Sequence, residues 1–266
     1  MLWGIPGKRQ PHCSWLCTIY TYAKLHKVMI AYYNDACWHF VTQRSHGLLA
    51  GQLCARWKLA DQPSRWVDTL IATAEHDDVY NEFERNPLID GNGAPKNFRD
   101  MVFEQDASRQ LMDMALTKSR FIALLLSRHI AFTHGKEPAA GPLLKSLKRK
   151  EKKWMGEAGT TSAEVDRAYA LLEFCDAFSL LICQGIIPPE GRAVEISRGP
   201  NGKVHTVRCC GALIVEPWPF ETERFEVSFE KRTLEKLKFG SDRELRKALM
   251  DAPVQTIRLT IEKANR

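Results

Sequence analysis

The chain has 266 residues, enough for one large domain or two modest ones with a proper core. At 44% hydrophobic and 26% charged it has the makeup of an ordinary folded protein, and no apolar run approaches the roughly 18–20 residues of a membrane span. Of the net charge of +6, Lys8, Arg9, Lys24 and Lys27 supply four in an opening segment with no acid, which leaves too little elsewhere to indicate a nucleic-acid surface.

Residues 1–28 carry a basic patch and then an apolar stretch broken by polar residues, from Cys13 to Ala23, with no small-residue cleavage site after it. The expectation is a poorly structured extension, with domain-like sequence opening at Met29, an alternative start. Residues 29–42 read as a β-hairpin: Met29 to Tyr33, a turn at Asn34-Asp35, then Cys37 to Thr42, with His39 in cross-strand packing. Helical periodicity follows over about 43–59, 64–77, 106–134 and 162–184, with starts marked by Pro63-Ser64 and by a capping box from Thr161 to Glu164.

Between Val79 and Arg99 runs a long loop containing Gly, Asn and Pro. Loops of this length are usually functional, so it is either a lid offering Lys96 and Arg99 to an anionic substrate or a solvated connection. Residues 136–153 carry seven basic side chains against Glu137 and Glu151 and read as a solvated linker; only Trp154 accompanies the charge, which disfavours RNA or phosphate binding. After Gly185 the period changes to two: Arg192–Ser197, Lys203–Val207, Phe225–Phe229 and Thr256–Ile261 alternate as antiparallel strands, with a short helix capped by Ser241 and Glu244 before the last. The eight cysteines show no C-x-x-C spacing and fit a reducing cytoplasm.

Four inward faces carry unusual residues. Asp77 continues the stripe Trp66, Leu70, Thr73; His46 shares a face with Leu49, Ala50 and Leu53; His129 with Phe121, Leu125 and Phe132; and Asp176 with Tyr169, Leu172, Leu180 and Cys183. Burying one unpaired carboxylate costs several kcal/mol, against a net domain stability of about 5–15 kcal/mol. Asp77 and Asp176 therefore need a neutralising partner. A divalent cation serves, and mixed His/Asp sets suit zinc, iron, manganese or a similar ion; hydrogen-bonded core histidines and helix-to-helix ties are the alternative.

The order His46, then His76-Asp77, then Asp176 resembles the signature of the HD superfamily of metal-dependent phosphohydrolases. More narrowly, Ser45-His46-Gly47-Leu48-Leu49-Ala50-Gly51-Gln52-Leu53, Ala74-Glu75-His76-Asp77-Asp78, Lys118-Ser119-Arg120 and Ser127-Arg128-His129 resemble domain-of-unknown-function family 3891, an uncharacterised bacterial group, from about Met29 onward. The resemblance implies a helical metal site, and together with the periodicities it makes the expected chain α+β: an HD-like helical bundle carrying that site over residues 43–187, with the N-terminal hairpin joining a C-terminal antiparallel sheet over 188–266.

The function expected is hydrolysis of a phosphorylated small molecule or nucleotide through a metal-activated water. His46, His76, Asp77 and Asp176 are the expected ligands of one or two divalent ions, with Mn, Fe, Zn, Mg and Ni all open. His129 is either a ligand to a second ion or a general acid. Asp77, His129 and Lys118 are the expected catalytic set, and Lys118, placed on the same helical face as His129, joins Arg120, Lys96 and Arg99 in holding the substrate anion. A di-iron oxygenase on the same helices, and a non-catalytic protein braced by the cation, are the alternatives. The expected partner is the phosphorylated substrate, with neither membrane nor nucleic acid.

Overall fold

A computed structural model describes residues 29–84, 87–100 and 102–264. The expectations for residues 1–28, the extension and the start at Met29, lie outside the described residues. The hairpin forms as Ile30–Asn34 (β1) and Cys37–Val41 (β2), joined through Asp35 and Ala36. Both turn residues have positive φ, 50° and 62°, the two-residue geometry whose twist matches antiparallel strands. His39 lies opposite Tyr32 and stacks on it, with ring centroids 4.9 Å apart.

The C-terminal strands are Val194–Arg198 (β3), Val204–Cys210 (β4), Ala212–Glu216 (β5), Arg224–Leu234 (β6) and Gln255–Lys263 (β7). They and the hairpin make one sheet in the order β1-β2-β6-β7-β5-β4-β3, with Trp38 on β2 opposite Leu234 on β6. The chain is α+β. The sheet is not wholly antiparallel, because β7 returns from the helix Asp242–Asp251 (α7) to insert between β6 and β5 and runs parallel to β5.

The helices are Gln43–Ala55 (α1), Trp66–Ala74 (α2), Gln105–Lys118 (α3), Arg120–His134 (α4), Gly141–Ala158 (α5) and Ser162–Cys183 (α6). Thr161 and Glu164 form the capping box of α6. Leu49, Leu53, Phe174 and Phe178 of α1 and α6 pack on Ile196, Val207, Val215, Val227 and Ile261 of the sheet, while α3, α4 and α5 bury a second cluster around Leu111, Leu124, Leu147 and Trp154. No described helix is long and apolar enough to cross a membrane.

Three expectations about the helices are corrected. The span 106–134 is two helices, because Ser119 is extended (φ −157°, ψ 159°) and caps α4: its hydroxyl accepts from the Ile122 N–H at 3.0 Å and donates to Asp68 Oδ1 at 2.7 Å. Lys118 and His129 therefore share no continuous helical face. Residues 141–158 are a helix rather than a linker. Leu147, Glu151 and Trp154 form its buried stripe, Glu151 pairs with Arg128, and the lysines face out. Lastly, α2 stops at Ala74 and buries Thr69, Ala72 and Thr73, so His76 and Asp77 occupy the turn beyond it.

Candidate metal centre

The α2 terminus is set by its neighbours. A Cβ on Gly47 would lie 2.5 Å from the Ala74 carbonyl oxygen, and one on Gly51 2.8 Å from the Ala74 Cβ. Glycines one turn apart on α1 thus let the last turn of α2 press against it, beside His46. The His76 ring then turns back on α2, its Nδ1 2.8 Å from the Thr73 carbonyl oxygen, one of the acceptors a helix end leaves open. The outgoing strand of the turn is held by α1: Arg44 donates to the Asp78 carbonyl at 2.7 and 3.0 Å, and the Gln43 N–H donates to Glu82 at 2.7 Å.

On this frame the expected ligands meet. His46 on α1, the His76-Asp77 turn, His129 on α4 and Asp176 on α6 are each 0–3% exposed. Asp176 Oδ1 lies 3.0 Å from His46 Nε2 and 3.2 Å from His76 Nε2, and the two nitrogens are 3.2 Å apart. Asp77 Oδ2 is 3.4 Å from His76 Nε2 and 3.9 Å from His46 Nε2; its other oxygen is 3.9 Å from His129 Nε2. Two overlapping sets, His46-His76-Asp77 and His76-His129-Asp176, each bring their ligand atoms within 4.8 Å of one another. These groups could hold a metal ion.

The surrounding hydrogen bonds orient the two rings at the centre. A carbonyl oxygen only accepts, so His76 Nδ1 carries the proton shared with Thr73. The Ser179 hydroxyl spends its proton on the Asp176 carbonyl at 2.9 Å and so accepts from His46 Nδ1–H at 2.8 Å. In the neutral tautomer both Nε2 lone pairs point at the carboxylates. Such a convergence needs a positive charge at the shared point, a cation or a proton. Burial pushes the His46 pKa below its ordinary value even though Asp176 opposes this, which disfavours a proton on His46 itself. Neutral imidazoles fixed through Nδ1, with two carboxylates opposite, make a donor set that fits a divalent ion.

The remaining candidates make contacts outside the His/Asp set. Lys118 pairs with Glu75 at 2.7 Å, and Arg120 pairs with Glu157 on α5 at 2.7 Å. Arg99 bonds Gln184 just past α6 and stacks over Phe98, and the backbone N–H of Lys96 bonds the Leu88 carbonyl. The 79–99 loop is anchored rather than solvated: Leu88 and Phe98 are buried, and Asp242 of α7 accepts from the backbone N–H groups of Leu88 and Ile89. Three neighbours of the site are absent from the sequence reading. Ser179 could have been found as the one hydroxyl in the apolar run after Asp176. Glu82 and Glu173 carried no such signal; burial raises each carboxyl to about 7, against bonds from the Gln43 N–H and the Ser197 hydroxyl respectively.

A family model described as "Protein of unknown function (DUF3891)" matches residues 29–236. The chain belongs to this family. The DUF3891 match runs from β1 through β6 and so takes in every residue of the His/Asp cluster, while α7 and β7 lie beyond it. No curated protein and no solved structure matches the chain.

Proposed function

We propose that this DUF3891 chain is a metal-dependent phosphohydrolase. The observation that carries the reading is the convergence of His46 Nε2, His76 Nε2 and Asp176 Oδ1 within 3.0–3.2 Å of one another, with Asp77 beside them. The order of these four residues, and its resemblance to the HD superfamily signature, supports it. A divalent ion bound there would activate a water and polarise a phosphoryl oxygen. The chain's own residues hold and orient: Ser179 and the Thr73 carbonyl fix the two rings, and Asp77 and Asp176 supply two negative charges to balance the ion. His129, 3.9 Å from Asp77, is close enough to complete the ligand set or to hand a proton to the leaving oxygen.

A second reading, a di-iron oxygenase, is favoured by one feature, the overlapping set through His129 that offers a place for a second ion. Six free cysteines among the described residues suit a reducing compartment, and we assign the protein to the cytoplasm. Metal analysis of the purified protein, followed by a panel of phosphate esters, tests the proposal. One or two divalent ions per chain with phosphate release supports it. Two irons with oxygen consumption transfers the site to the oxygenase reading, and a protein that neither retains nor takes up an ion sinks both.

A further inference from the structure

Tyr169 stands where the His/Asp cluster meets the surface. It shares one face of α6 with Glu173 and Asp176, at i, i+4 and i+7. Its ring centroid lies 6.3 Å from that of His129 and 6.2 Å from that of Phe132, both on α4. Phe132 is 53% exposed and His129 2%. The three rings thus step inward along the seam between α4 and α6, from solvent to the cluster.

The Tyr169 ring is only partly covered, yet its hydroxyl oxygen is buried and has no hydrogen-bond partner among the described residues. Buried phenols normally find one. Glu173, one turn on along the same face, accepts instead from Ser197 on β3 at 2.8 Å. The phenol lies within electrostatic reach of the Asp176 and Glu173 carboxylates, so an anion entering beside them meets repulsion unless a donor and a cation offset it.

We propose that the Tyr169 hydroxyl is a substrate-binding group, donating its hydrogen bond to an oxygen of a phosphate-type anion that reaches the His/Asp-bound ion along the α4–α6 seam. This rests on the metal-site reading above. No bond is made or broken by Tyr169; it holds the anion while the ion and its ligands do the chemistry.

The test uses the full chain loaded with Mn(II) and titrated with inorganic phosphate, read by the relaxation of water protons at the bound ion. Tyr169→Phe keeps the ring and removes only the hydroxyl. The variant should bind Mn(II) with wild-type stoichiometry, melt no lower than wild type, and bind phosphate more weakly by on the order of tenfold or more, the usual effect of losing one hydrogen bond to a charged group. Equal phosphate affinity in the two proteins overturns the inference while leaving the metal site standing. So does a loaded wild type that ignores phosphate. A wild type that takes up neither Mn(II) nor any other divalent ion removes the metal-site reading itself, and this inference with it.

Discussion

The molecule buries histidine in two settings that look alike until the second ring nitrogen is followed. His205 on β4 is 1% exposed, and its Nδ1–H donates to the Pro217 carbonyl at 2.8 Å. His46 and His76 are equally buried, with Nδ1 equally fixed, by Ser179 and Thr73. Burial lowers the pKa of His205 as it does that of His46. The His205 ring, however, packs against Phe174 and Trp57, at centroid distances of 5.0 and 6.3 Å, and its Nε2 faces Gly199. The His46 and His76 Nε2 atoms face each other and Asp176. Burial and a locked tautomer therefore do not distinguish a core histidine from a ligand; carboxylates opposite the free nitrogen do.

The contrast can be broken most severely through the backbone that frames the cluster. In Gly47→Ala the new Cβ would fall 2.5 Å from a backbone oxygen of α2, which cannot move without carrying the His76-Asp77 turn with it. Overpacking of this kind costs about 1–3 kcal/mol, or a melting point lower by roughly 3–10 °C for a chain of this size, and metal content should fall too. A Gly47→Ala protein with wild-type melting and metal content would show that the α1–α2 approach does not position the site. A smaller effect is expected at His205→Leu. Leaving the Pro217 carbonyl without its donor costs about 1–2 kcal/mol, a drop of a few degrees in a thermal melt. Metal stoichiometry should stay at the wild-type value. A loss of metal there would erase the distinction between the two histidine environments.

Much of the cluster was legible because helix period alone faces His46, His129 and Asp176 inward, on α1, α4 and α6. The His76-Asp77 pair was legible as residues but not as geometry. The stripe that Asp77 continues runs past the end of α2, where the His76 side chain folds back on Thr73, and that fold leaves no mark in the apolar pattern. The break at Ser119 was hidden for a related reason: apolar residues recur at helical spacing on both sides of it, and the Asp68 that holds the cap is 51 residues away. The lysines of α5 mask its buried Leu147-Glu151-Trp154 stripe, because the charge dominates the composition while the apolar spacing is sparse. Gly47 and Gly51, one turn apart beside a candidate ligand, were visible signals of close helix approach. The clasp of Glu82 on the N-terminus of α1 spans 39 residues and depends on tertiary structure alone.

The central claim is that the two carboxylates are buried because they share a cation. Metal content and melting temperature of wild type and Asp77→Asn, each with and without a chelator, test it most directly, because this substitution removes the charge and keeps the shape. If Asp77 is a ligand, wild type holds the ion and melts lower once chelated, since an ion at about 100 times its dissociation constant contributes roughly 2.7 kcal/mol to the folded state. The variant should then hold less metal, melt below wild type in metal-replete buffer, and respond weakly to chelator. A variant that melts above wild type and is indifferent to chelator, with metal content unchanged, would mean that Asp77 is only a buried acid whose charge the fold tolerates, and would contradict the account.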